Sequence, residues 1–217
     1  MRASDRAYET LLGEIQLGVL APGAVVGEAT QAERIGVSRT PMREAIGRLV
    51  ADGLIRQQSP RVLVVSGFDA DDIRDLFVAR RALEEASARL AAEHRDPAVF
   101  SALAAAFSGA QPEAGEASAD DYYALIERFD SEVDAAVGNA YLTQALRTIR
   151  THLARARRLA RDNRDRLRAS VAEHALIAEA IAAGDADLAA HATHVHLHHA
   201  LVAILDSIEH QAERSAS

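Results

Sequence analysis

A chain of 217 residues with no cysteine has no disulfide, no thiolate metal site and no cysteine nucleophile, yet is long enough to bury a substantial core. Its 24 basic side chains, every one an arginine, face 32 carboxylates for a net charge of −8, which argues against a wholly DNA-wrapping or membrane-surface protein. The N-terminus lacks the apolar stretch of a secretory signal and no apolar run reaches membrane length, so the expected location is the cytoplasm, with no membrane partner.

In chain order, Ala7 to Leu17 reads as a helix with Leu11, Leu12, Ile15 and Val19 apolar at helical spacing, and Ala21-Pro22-Gly23 reads as a turn. Glu28 to Ile35 forms a second short helix, and Gly36-Val37 is a tight connector. Met42, Ala45, Ile46, Leu49 and Val50 then recur at i, i+3, i+4 and i+7, one buried face of a third helix. Ser38 or Thr40 can cap that helix, and Pro41 fits its first turn. Its other face and leading end carry Arg39, Arg43 and Arg48. A helix with a packed back and an arginine front suits a DNA major groove. After Gly53, Leu54 to Gln57 and Val62 to Val65 alternate as two strands around Gln58-Ser59-Pro60-Arg61. Two helices, a tight turn and a two-stranded wing make a winged helix over residues 1–66.

The charge supports that division. Residues 1–66 hold eight arginines against seven acids, whereas residues 67–217 carry a net charge of −9, so the acidic half is not the DNA-facing half.

The stretches Gly18-Val19-Leu20-Ala21-Pro22-Gly23, Gly36 through Ala45 and Leu49 through Ile55 resemble the DNA-binding domain of the GntR family of bacterial transcription regulators. The resemblance implies double-stranded operator DNA as partner. It places Arg39 and Arg43 near base edges, Ser38, Thr40 and Arg48 near phosphates, and Arg61 at the wing tip in the minor groove. The family usually has glycine beside that tip arginine, where this chain has Pro60 and Val62.

Past the short linker Ser66-Gly67-Phe68 the chain reads as helix throughout. Asp69 to His94 carries Ile73, Leu76, Phe77, Leu83 and Leu90. Asp96-Pro97 opens another helix, and Gly109 to Ser118 reads as a loop. Asp120 to Val137 is amphipathic through Tyr122, Ile126, Phe129, Val133 and Val137. Helices over Tyr141 to about Ala160 and Leu167 to Ala183 follow, and Gly184-Asp185 separates the last from a helix over Ala186 to about Glu213. The expected fold is mainly α: a winged helix-turn-helix, then an all-α bundle of about six helices over 67–217.

Three polar residues interrupt the apolar stripes of that bundle: Asp130, His174 and His196. A buried carboxylate needs a partner, and two imidazoles with one carboxylate can share a divalent metal ion. A hydrogen-bonded core cluster satisfies the same residues without metal, and spacing leaves both readings open. The seven arginines between Arg155 and Arg168 read as a solvated, salt-bridged face.

Arg80-Arg81-Ala82-Leu83-Glu84, Phe129 through Gly138-Asn139, and Glu173-His174 followed by Gly184-Asp185 and His196-Leu197 are similar to the FCD effector domain of one GntR branch. That resemblance implies a homodimer, often a repressor, that answers to a small organic acid. It also implies a divalent metal such as zinc, nickel or manganese on four ligands. His174 and His196 occupy two of those positions; Ile126 stands where the family has aspartate, and Asp130 where it has histidine. Arg80 matches a position facing the effector, where its guanidinium could grip a carboxylate, although an i, i+4 pair with Glu84 is equally compatible. A non-haem metal enzyme using two histidines and a carboxylate is the alternative, but such an enzyme has no use for a winged helix. The chain is therefore expected not to be an enzyme.

Overall fold

The computed structural model describes residues 1–112, 116–159 and 163–216. The described chain divides into two compact units, residues 1–69 with 150–158, and the remainder.

The first unit opens with α1 (Ala3–Gln16), α2 (Glu28–Ile35) and α3 (Arg39–Ala51), followed by the antiparallel pair β1 (Ile55–Ser59) and β2 (Val62–Val65). Its core largely follows the spacing: Ala7, Leu11 and Ile15 of α1 meet Met42, Ala45, Ile46 and Leu49 of α3, closed by Leu54, Ile55 and Val65, whereas Val50, at the rim of the stripe, is 39% exposed and Val19, beyond the end of α1, is 70% exposed. Each buried leucine, isoleucine, valine or methionine among them contributes about 1.5–3 kcal/mol by leaving water. Gly36 ends α2 in the left-handed region, φ 72°, which only glycine adopts without strain, so the chain turns at once into α3. Ser38 is the residue before α3, but its side chain makes no capping hydrogen bond.

Two boundaries differ from expectation. The first helix starts at Ala3 because Ser4 and Asp5, polar and so invisible to an apolar pattern, suit a first turn, where an acid favours the helix dipole. The first wing strand continues through Ser59 past a bulge between Gln57 and Ser59, leaving Pro60-Arg61 as a tighter tip than the four-residue turn expected.

The second unit is built from α4 (Ala70–His94), α5 (Pro97–Ser108), α6 (Glu116–Val137), α7 (Ala140–Leu159), α8 (Arg164–Ala183) and α9 (Ala186–Ala216), with residues 150–158 of α7 grouped with the first unit. Asp96 accepts a hydrogen bond from Ala98 N at 2.9 Å and Asn163 from Arg166 N at 2.9 Å, so α5 and α8 begin on side-chain caps. Gly184 closes α8 at φ 78°, and Asp185 caps α9 through Leu188 N. Helix α6 begins at Glu116, so the expected loop over Gly109 to Ser118 is shorter; residues 113–115 lie outside the described residues. The core joins Phe100, Leu103 and Phe107 of α5 to Tyr122, Ile126 and Phe129 of α6 and to Val171, Ile177 and Ile181 of α8, while α4 packs on α9. Alanines 189 and 192 on α9 let neighbouring backbones approach closely.

Candidate functional site

The face of α3 opposite its buried stripe is the candidate nucleic-acid interface. Ser38, Arg39 and Thr40 are exposed at its leading end, and Arg39 makes no ion pair among the described residues. Arg43 is held by Glu28 of α2, with Nη2 to Oε2 at 3.0 Å, which raises its pKa. Arg48 pairs with Asp5 of α1 at 3.0 Å and lies 3.8 Å over the Tyr8 ring. The Tyr8 hydroxyl donates to Asp52 at 2.7 Å, and burial together with that carboxylate pushes the phenol up to about 12. Arg43 and Arg48 are thus each held by a carboxylate of the same unit, whereas Arg39 stands exposed at the leading end. Arg61 is exposed at the wing tip.

Residues 150–158 of α7 complete this unit. Arg155 is 7% exposed, donates to the Ser66 carbonyl and lies 4.5 Å over the Phe68 ring; its desolvation lowers its pKa. His152 meets Phe68 edge-on at 5.8 Å. The segment anticipated as a plain linker is therefore anchored by a buried cation.

In the second unit the structure brings His174 and His196 together, ring centroids 4.3 Å apart. His174 is stacked on Phe107 at 5.0 Å and flanked by Tyr122 and Phe129. Its Nδ1 lies 2.8 Å from the Ser170 carbonyl, which can only accept, so Nδ1 carries the proton and Nε2 is the basic nitrogen. The Tyr122 hydroxyl completes the cluster, donating to Ser170 Oγ at 2.8 Å. His196 is oriented by Glu173, Nδ1 to Oε2 at 2.7 Å. That carboxylate also accepts two hydrogen bonds from Arg166, at 2.9 and 2.6 Å, and one from His199 at 2.7 Å. Glu173, Arg166, Ser170 and Tyr122 were not among the candidate residues. Arg166 and Glu173 are seven apart, two turns along one helix face, which was the available signal. Tyr122 and Ser170 are 48 residues apart and gave none.

Of the expected set of Asp130, His174 and His196, the structure brings the two imidazoles together. Among the described residues no three histidine, aspartate or glutamate side chains converge as a metal centre requires. Asp130 is only half-buried, one step around α6 from the stripe of Tyr122, Ile126, Phe129 and Val133. Ile126, 3% exposed, puts a hydrocarbon in the core where the resemblance calls for aspartate. Carboxylate-oriented imidazoles suit metal ligation, but two imidazoles alone do not fit a resident ion. The arginine-rich stretch is also not uniformly solvated: Arg155 and Arg166 are largely buried, the latter with a side chain 12% exposed.

Arg80 is 3% exposed, and its Nε donates to Glu84 at 2.7 Å, the intrahelical pairing, with the guanidinium 5.0 Å over Phe77. Two turns on, Ser87 Oγ is buried without a hydrogen-bond partner among the described residues. A buried unsatisfied hydroxyl is the kind of group a small polar molecule or water completes.

No helix among the described residues is long and apolar enough to cross a membrane. Family models match two stretches: "Bacterial regulatory proteins, gntR family" over residues 3–64 and "FCD domain" over residues 75–199. A transcriptional regulator in an unstable DNA locus of Streptomyces ambofaciens is 31% identical over 191 residues, covering 88% of this chain and 78% of that one. The Nta operon transcriptional regulator of Aminobacter aminovorans is 31% identical over 130 residues, 60% of each chain. Among solved structures, E. coli McbR/YncC superposes with a TM-score of 0.77 at 19% identity, covering 95% of this chain and 98% of that one, which shows the shared fold.

Proposed function

Because the chain belongs to the gntR family of bacterial regulatory proteins, in the branch carrying an FCD domain, we propose that it is a homodimeric, effector-responsive repressor reading a pseudo-palindromic operator. Its winged helix is the DNA-binding part. The observation carrying the reading is the exposed leading end of α3, where Ser38, Arg39 and Thr40 face solvent over a fully packed back. Two heads related by a two-fold axis match the symmetry of a palindromic site.

The effector proposed is a small carboxylate bound inside the helical unit near Arg80 and Ser87. An incoming carboxylate would compete with Glu84 for the Arg80 guanidinium, and the Ser87 hydroxyl would donate to it. The enzymatic alternative draws no support from the family matches or the relatives, which are all named as regulators.

The test is recovery of the operator by selection from random duplexes, followed by footprinting of variants. Arg39→Ala costs ~1–3 kcal/mol on the selected operator and relaxes preference at one base position. Arg48→Ala weakens all duplexes about equally, because that side chain sits back against Tyr8 and Asp5. Full operator preference in Arg39→Ala would remove α3's leading end from base reading.

A further inference from the structure

The wing is a closed loop of chain. Ser66 N–H donates to the Leu54 carbonyl at 2.9 Å, so the residue after β2 lies beside the residue before β1. Residues 150–158 of α7 sit at this closure. The His152 ring lies against Gly53, which leaves α3 at φ 74°; a side chain there would come within 3.5 Å of the imidazole. The same ring meets Phe68 edge-on, and Arg155, three residues on, donates to the Ser66 carbonyl with its guanidinium over the Phe68 ring. Two side chains on one face of α7 therefore hold the chain where it enters the wing and where it leaves it.

Stability alone does not account for this contact. No carboxylate pairs with the buried Arg155 among the described residues, and its Nη1 has no hydrogen-bond partner. A guanidinium buried without a counter-charge is costly. The core of the winged helix closes without it, from α1, α3 and the strands. What the contact does is remove a joint. Residues 66–68 left free would be a swivel, and a swivel cannot hold two reading helices at one spacing on a duplex. Helix α7 is a continuous rod of 20 residues whose first half, 140–149, belongs to the helical unit. We propose that His152 and Arg155 are positioning residues for DNA reading: through Gly53, Ser66 and Phe68 they make α7, and not residues 66–68, the element that carries each reading head. The proposal rests on the reading of the protein as a homodimeric regulator and names the element that sets its half-site spacing.

Binding of the full chain to three duplexes tests this: the selected operator, a single half-site, and the operator with one base pair added between its half-sites. Wild type should prefer the operator to both others, because two heads held at a fixed spacing engage together. Arg155→Ala and Phe68→Ala should each weaken operator binding about tenfold, leave half-site binding unchanged and erase the penalty for the added base pair. Hydrogen exchange on the DNA-free protein gives an independent reading: both variants should speed exchange of residues 66–69 while the amides of α5 keep their protection. Half-site binding that falls as far as operator binding in both variants would show that the contact only supports the fold of the head, and would overturn the assignment. Unchanged discrimination against the added base pair would overturn it too. A wild type that binds operator and half-site equally tightly would instead overturn the homodimer, and the exchange rates alone would then decide whether α7 holds residues 66–68.

Discussion

Phe107→Ala lowers the unfolding free energy of the helical unit by about 3–5 kcal/mol, the range for removing a fully buried aromatic ring. The ring is 0% exposed and sits where three elements meet. It stacks on His174, and it meets Tyr122 and Phe129 edge-on at 6.2 and 5.7 Å. The surroundings cannot collapse into the space, because His174 is held by Ser170 and Tyr122 by its own hydroxyl. Loss of the stacked ring also removes its ring current from the imidazole, so the chemical shifts of the His174 ring should change. Urea unfolding followed by far-UV circular dichroism measures the cost. A loss under about 1 kcal/mol would mean that the ring fills no gap of its own.

Glu173→Ala costs about 3 kcal/mol, near the lower end of the range for breaking a buried ion pair, because the carboxylate is 15% exposed and keeps some contact with water. The loss is larger than one hydrogen bond because four donors converge on it, from Arg166, His196 and His199. Most of it comes from leaving the Arg166 guanidinium, 12% exposed, without a counter-charge. Arg166→Met together with Glu173→Ala should therefore be at least as stable as Glu173→Ala alone. If the double variant is instead less stable by the sum of the two single losses, Arg166 and Glu173 act independently and the hub assignment fails. Glu173→Gln, which keeps the shape and one acceptor, should fall between wild type and alanine.

The sequence by itself determined every element of the winged helix and all six helices of the second unit, because those signals are local. The seam Met42, Ala45, Ile46 and Leu49, the Asp96 cap and Gly184 before Asp185 each act within a turn or two of chain. The arginine front of α3 was legible for the same reason: a helix face is fixed once its buried face is. Element ends drifted where polar first-turn residues such as Ser4, Asp5 and Glu116 hide from an apolar pattern. What only the tertiary structure decided was which buried polar groups pair. Spacing offered Asp130, His174 and His196 as one set; the packed core set the two imidazoles 4.3 Å apart and placed Glu173 of α8 on His196. Spacing was equally even-handed about Arg80, and the structure shows its hydrogen bond to Glu84. Periodicity reports which face of a helix leaves water. What that face meets depends on the register and rotation of helices packed 48 or more residues apart in sequence, as for Tyr122 and Ser170, and those are set by the whole core at once.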